Sequence, residues 1–133
     1  MKKSLLIITV VLAVLISSCA TAQFSHDESL PEVNTCTIEL KDQVTMTLLN
    51  GVPVNYGPKG FGKNTIITYF PPGNHKFVLN WYTYQKQGGV TWSTPHNVEF
   101  EREFEAGHTY RITCPTILGI NFGIQFKDVT KTK

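Results

Sequence analysis

The sequence predicts an all-β chain, an antiparallel β-sandwich of about seven to nine short strands behind an N-terminal export segment. Three observations carry that expectation. After residue 19 no segment has the 3.6-residue period of an amphipathic helix, whereas apolar and polar residues alternate in several short runs. Turn signals separate those runs: Asn50-Gly51, Pro71-Pro72-Gly73-Asn74, Gln87-Gly88-Gly89 and Ala106-Gly107. Finally, 11% aromatic against 17% charged residues supplies core-forming surface and excludes an intrinsically disordered chain. At 133 residues the chain is long enough for one core and too short for two.

The first element is an export signal. Met1-Lys2-Lys3 is a cationic start, and the twelve residues Leu5 to Ile16 are apolar apart from Thr9. At ~1.5 Å per residue they span ~18 Å, short of the ~30 Å hydrocarbon core of a bilayer, so they do not form a transmembrane helix. Ile16-Ser17-Ser18-Cys19 follows, and these four residues resemble the lipobox of bacterial lipoproteins: an aliphatic residue, two small residues and a cysteine. The resemblance implies cleavage after residue 18 and a diacylglycerol on Cys19, with a further acyl chain such as palmitate on the new amino group. Two or three chains anchor a protein stably where one does so marginally. An ordinary cleaved signal with Cys19 as a bystander is the plainer alternative. Ala20 stands where an aspartate would imply retention at the inner membrane, so the resemblance implies the outer membrane, on either face.

Removing 18 of 133 residues leaves 115, and losing Lys2 and Lys3 leaves ten basic against ten acidic side chains. A neutral domain excludes nucleic-acid binding driven by phosphate neutralisation. Residues 19–34 read as the lipidated cysteine and a flexible tether, of which the fifteen residues 20–34 reach ~50 Å at most. The sandwich is expected over 35–130.

Within that domain, Cys36, Ile38 and Leu40 share one strand face. Val44, Met46 and Leu48 alternate with Thr45 and Thr47 up to the Asn50-Gly51 hairpin signal. Pro53 consigns the returning strand, residues 52–56, to a sheet edge. Residues 64–70 form a strand. The next, 75–86, puts Phe77, Leu79 and Trp81 on one face and Val78, Tyr82 and Tyr84 on the other. Residues 90–93 read as a short separate strand. Val98, Phe100 and Phe104 then alternate with Glu99, Glu101, Glu103 and Glu105. Arg102 falls on the apolar face, expected to find a carboxylate or the end of the sheet. Residues 108–114 form the next strand, and Leu118 to Phe126 alternate strictly as the last. A small barrel fits the same pattern.

Asn50-Gly51-Val52-Pro53, then Phe70-Pro71-Pro72-Gly73-Asn74-His75, then Phe104-Glu105-Ala106-Gly107-His108-Thr109-Tyr110 occur in an order that resembles PEGA-like and transthyretin-like modules of exported bacterial proteins, sandwiches of immunoglobulin-like type. The resemblance spans roughly residues 36–127, although the PEGA tetrapeptide is absent. It rests on turn chemistry and core aromatics, so it implies fold more than activity and carries over no catalytic residue.

With Cys19 lipidated, Cys36 and Cys114 are an even pair of inward-facing cysteines in an oxidising compartment, hence a candidate disulfide worth roughly 3–5 kcal/mol. The alternative is two buried thiols that never meet. No CxxC spacing or histidine partner points to metal, and no cofactor is implied. Residues 57–64 match GxxxxGK, but Asn64 replaces the magnesium-binding hydroxyl and a strand follows where a phosphate site needs a helix. They read as a glycine-rich loop that could contact a partner. His26, His75, His96 and His108 form no ligand spacing. No serine lies in a GxSxG elbow. The glutamate stripe projects from one strand face rather than across a cleft. The sequence therefore argues against an enzyme. Tyr82, Tyr84 and Trp92 are the candidate binding residues, placed to stack on a glycan or anchor an envelope protein, or else to pack over Gly119 and Gly123. The expectation is a membrane-anchored, non-catalytic binding or scaffolding module of the bacterial envelope, with a carbohydrate- or host-ligand-binding module as the alternative.

Overall fold

The computed structural model describes residues 21–59, 62–117 and 120–131, so the export segment and Cys19 lie outside the described residues. One sheet has five strands, in the order β1 (Ala22–Ser25), β5 (Thr65–Phe70), β2 (Cys36–Leu40), β8 (Thr109–Thr113) and β11 (Gln125–Asp128). The other has four, in the order β4 (Val52–Tyr56), β3 (Thr45–Leu49), β6 (Gly73–Gln87) and β7 (Val90–Phe104). A small ribbon pairs β9 (Thr116–Ile117) with β10 (Ile120–Asn121). The chain is thus all-β and sandwich-like.

Alternation decides what lies between the sheets. β2 turns Cys36, Ile38 and Leu40 inward, β6 turns Phe77, Leu79 and Trp81 inward, and both sets join Met46, Ile67, Phe70 and Ile112 in one buried cluster. Full burial of each such side chain is worth ~1.5–3 kcal/mol. The Asn50-Gly51 hairpin forms as expected, with both residues at positive φ (50° and 78°) as a type I′ turn requires. β4 lies at the sheet edge, where Pro53 leaves no ladder bond missing.

The structure corrects the sequence reading in several places. The five-stranded sheet is mixed, because β1 runs parallel to β5 and β2 runs parallel to β8. Part of the expected tether is ordered: Ala22–Ser25 is a strand and Glu32–Asn34 a 3-10 turn. Ala22 is buried and the Phe24 ring packs on Tyr56 at 5.3 Å, but four residues are too few to reveal a period. Residues 90–93 are not a separate strand, since β7 runs unbroken through Pro95 along an open edge. The last alternating run is broken into β10 and β11, with Gly123 at φ 73° between them.

The parallel pairing also separates the two cysteines. Thr37 lies opposite Thr109 and Leu40 opposite Ile112, so Cys36 sits beside residue 108. Cys114 is six residues further along, ~20 Å at ~3.3 Å per residue, whereas a disulfide needs Cα atoms within about 7 Å. The structure contains no Cys36–Cys114 disulfide, and both thiols are buried. Cys36 Sγ donates to the Phe70 carbonyl at 3.4 Å, and burial pushes its pKa up to about 11.

The strand connections define two ends. At the turn end lie Asn50-Gly51, Pro71-Pro72 and residues 105–108. At the arm end lie residues 41–44, residues 57–59 and 62–64, and the β9–β10 ribbon. Because β1 runs parallel to β5, the described chain enters at the arm end, where the Ala22 N–H donates to the Asn64 carbonyl at 3.1 Å.

Candidate binding surface

β6 and β7 pair without interruption from Gly73 opposite Phe104 to Gln87 opposite Val90. β3 accompanies β6 only as far as Asn80, opposite Thr45. Beyond that point the two strands continue, with no third strand beside them among the described residues, as an arm of seven residue pairs, from Trp81–His96 to Gln87–Val90. Threonine, tyrosine, tryptophan and valine favour the extended backbone there. Gly88-Gly89 closes the arm with φ of 59° and 78°, positions at which a side chain would be strained. At its base the buried Trp81 stacks on His96, with ring centres 5.1 Å apart and planes 13° apart. His96 Nε2 is hydrogen-bonded to Thr83 Oγ1 at 3.0 Å.

All three candidate binding residues lie on this arm and all three are exposed, Tyr82 at 53%, Tyr84 at 46% and Trp92 at 63%. They do not form one platform. Tyr82 lies opposite Pro95 and Tyr84 opposite Ser93, on the face that points away from the core stripe. Trp92 lies opposite Gln85, on the face continuous with Trp81. The alternation of β6 made the tyrosine pair legible, but the face of Trp92 depends on hairpin register, which a Gln-Gly-Gly loop left open.

Tyr82 and Tyr84 line an open cavity of about 460 Å³ together with Asp42, Gln43, Lys63 and Thr116. Asp42, Gln43 and Thr116 were not singled out from sequence. Asp42 and Gln43 both adopt positive φ (56° and 64°) in the turn from β2 to β3, and the Gln43 N–H donates to the Lys63 carbonyl at 2.9 Å. Lys63 belongs to the glycine-rich loop already read as a possible partner contact. That loop packs closely at Gly57, where a Cβ would approach Thr45 Oγ1 to 2.7 Å. Ile117, Ile120 and Phe122, from the ribbon and the residue after it, add exposed apolar surface at the same end. The cavity offers a carboxylate, an ammonium, two phenols and an amide in open solvent, groups that suit hydrogen bonding and ring stacking.

The histidines are held by local partners. His75 Nδ1 accepts from the Asn50 amide at 2.8 Å and its Nε2–H donates to the Pro71 carbonyl at 3.0 Å. His26 Nδ1 and the Tyr56 hydroxyl are 2.6 Å apart, and burial lowers the His26 pKa. His108 Nδ1 donates to Asp128 at 2.7 Å, a bond that raises the His108 pKa. The Asp128 carboxyl is held down at about 2, first by the Thr130 hydroxyl and backbone N–H and then by His108. No cluster of three or more potential metal ligands exists among the described residues. Glu99, Glu101 and Glu103 face solvent. Arg102 lies two residue pairs from the end of the sheet, its guanidinium 4.6 Å from the centre of Phe126 and its Nη1 donating to the Glu101 carbonyl at 3.0 Å.

Comparison of the chain with protein-family models, with curated proteins and with solved structures finds no match.

Proposed function

We propose that this chain is a non-catalytic lipoprotein, held in the bacterial envelope by acyl chains on Cys19, that acts as a binding or scaffolding module through its arm end. The observation that carries the reading is Ile16-Ser17-Ser18-Cys19 at the close of a twelve-residue apolar run that is too short to span a bilayer. A binding rather than catalytic role is favoured by the openness of the cavity beside Tyr82 and Tyr84, because water there screens charges that catalysis would need to concentrate. The body is best described as an immunoglobulin-like or transthyretin-like sandwich of PEGA-like type. The tight reversals at Asn50-Gly51 and at Pro71-Pro72 support that assignment. The outer membrane is the favoured site, since Ala20 follows the cysteine.

Mass spectrometry of the mature chain extracted from membranes tests the reading. The expected N-terminus is a Cys19 bearing diacylglycerol and a further acyl chain, and Cys19→Ser is expected to accumulate as an unprocessed precursor. A mature chain beginning elsewhere, without acyl mass, overturns it. Protease shaving of intact cells then assigns the face: loss of the band with a periplasmic control spared means the surface, and full protection means the periplasm.

A second reading, carbohydrate recognition, is favoured by one arrangement. Tyr82 and Tyr84 share a face beside Asp42, Gln43 and Lys63, so rings and hydrogen-bonding groups border the same cavity. Loss of glycan retention in Tyr84→Ala, at an unchanged melting temperature, is the result this reading requires.

A further inference from the structure

We propose that the arm end is a bilayer-docking face, with the β6–β7 arm and the β9–β10 ribbon seated in the headgroup layer of the membrane that holds Cys19. This rests on the lipoprotein reading above and adds to it an orientation and a second point of membrane contact.

The chain's entry point fixes which end faces the membrane. Cys19 is three residues before Ala22, so the acyl chains lie within ~10 Å of the first strand even if those residues are fully extended. β1 begins at the arm end and runs toward the turn end. The arm continues seven residues beyond Asn80, ~24 Å at ~3.4 Å per residue. It is therefore longer than the link to the lipid, and an upright domain brings the arm to the bilayer surface.

The side chains there match that solvent. Tyr82, Tyr84, Val90 and Trp92 on the arm are exposed. Tyrosine and tryptophan concentrate at headgroup depth, where an apolar ring and a polar edge are both satisfied. Their placement on both faces of the arm suits an element surrounded by an interface. A sugar platform or a flat protein contact uses one face.

Charge is segregated along the same strands. Residues 82–98 contain no acid, and the carboxylates of β7 begin at Glu99 and continue toward the turn end. Lys86 lies near the tip of the arm, and at its base Lys63 shares the cavity with Asp42. Anionic headgroups attract the Lys86 ammonium near the tip, and the glutamate stripe runs from Glu99 toward the turn end, away from the tip. The backbone sets the depth. Among the described residues no strand pairs with either edge of the arm beyond Asn80, and open strand edges are not tolerated in hydrocarbon, so the arm rests among headgroups, with the Lys86 stem lying along the interface.

The test uses the full chain purified from membranes and reconstituted into vesicles of equal parts phosphatidylethanolamine and phosphatidylglycerol, with and without bromine on the upper acyl chain. The protein has two tryptophans, and the buried Trp81 serves as the internal reference for the exposed Trp92. Docking predicts that brominated lipid removes most of the Trp92 emission, and that Trp92→Phe abolishes this loss while keeping the Trp81 signal. An intact mass taken on the same sample reports acylation. Acylated protein whose Trp92 emission is indifferent to bromine overturns the docking face, leaves the lipoprotein reading standing and turns the arm toward a protein or glycan partner. Protein without acyl mass overturns both.

Discussion

Both ends of the domain carry aromatic rings, packed at the turn end and exposed along the arm and the segment beside it. At the turn end Phe70, His75, Phe104 and Tyr110 interlock, with ring centres 5.2 Å apart for Phe70–His75, 5.5 Å for Phe70–Phe104 and 5.0 Å for Phe104–Tyr110. At the arm end Tyr82, Tyr84, Trp92 and Phe122 face solvent. Hydrophobicity does not separate the two sets. What separates them is whether a second sheet lies opposite: both sheets meet at the turn end, whereas β6 and β7 outrun theirs. Packing therefore holds the turn end, and the arm end is left available for contact. The largest effect that would break this contrast is at Phe70, fully buried and touching His26, His75 and Phe104. Phe70→Ala removes a ring from a site with little room to collapse, and the expected loss is about 3–5 kcal/mol by urea denaturation. A loss below about 1 kcal/mol would mean that the turn end is no better packed than the arm.

Asn50 sharpens the same contrast with a smaller effect. Its Oδ1 accepts the Lys76 N–H at 3.0 Å, its amide donates to His75 Nδ1, and its backbone sits at positive φ. Asn50→Ala loses both side-chain bonds and strains the turn, an expected cost of about 2 kcal/mol. Asn50→Gly keeps the turn and loses only the bonds, so it is expected to cost about half as much. The Gly88-Gly89 turn at the arm tip has the same conformation but carries no side chain to tie it to the body.

A third test divides the turn end itself, by pH. His108, held by Asp128, has its pKa raised above 6.5 in the folded chain. The stability it contributes is fully present below 6.5 and is lost as pH rises through the raised value. His26 has its pKa lowered, chiefly by burial, so its contribution is present above 6.5 and is lost as pH falls through the lowered value. The cost of His108→Gln is expected to be greater on the acid side of 6.5, and that of His26→Gln greater on the alkaline side. Urea midpoints for both variants and the parent on each side of that value decide it. Parallel pH profiles for the two variants would remove the distinction.

These contrasts also show what a reader of the sequence could see. Alternation in β2, β3 and β6, the Asn50-Gly51 reversal and the edge position of β4 follow from local rules: period, positive φ and a missing N–H. Strand direction does not. Nothing local to Cys36 or Cys114 records that β2 and β8 run parallel, and that one fact separates two cysteines that both face inward. β1 was hidden by its length, because an alternation of Ala22, Gln23, Phe24 and Ser25 cannot be told from a tether. The tyrosine pair was legible from β6 alone. The cavity residues Asp42, Gln43 and Lys63 come from two turns that only the closed fold brings to the arm.

The smallest expected effect isolates the arm most cleanly. Trp81 and Trp92 lie on the same face of the same ribbon, Trp81 opposite His96 and Trp92 opposite Gln85. Trp81 is buried, stacked on His96 and in tilted contact with Phe100 at 6.3 Å, and its removal belongs with the core substitutions at about 3–5 kcal/mol. Trp92 has the same chemistry without an opposing sheet, so Trp92→Ala in detergent solution is expected to change stability by no more than about 0.5 kcal/mol. Denaturation followed through the surviving Trp81 fluorescence measures this directly. A cost of several kcal/mol would mean that Trp92 is packed, and the arm would then be a continuation of the core. A cost near zero leaves its ring with no role in folding, and a large exposed indole on a long strand pair is then explained by what it touches outside the domain.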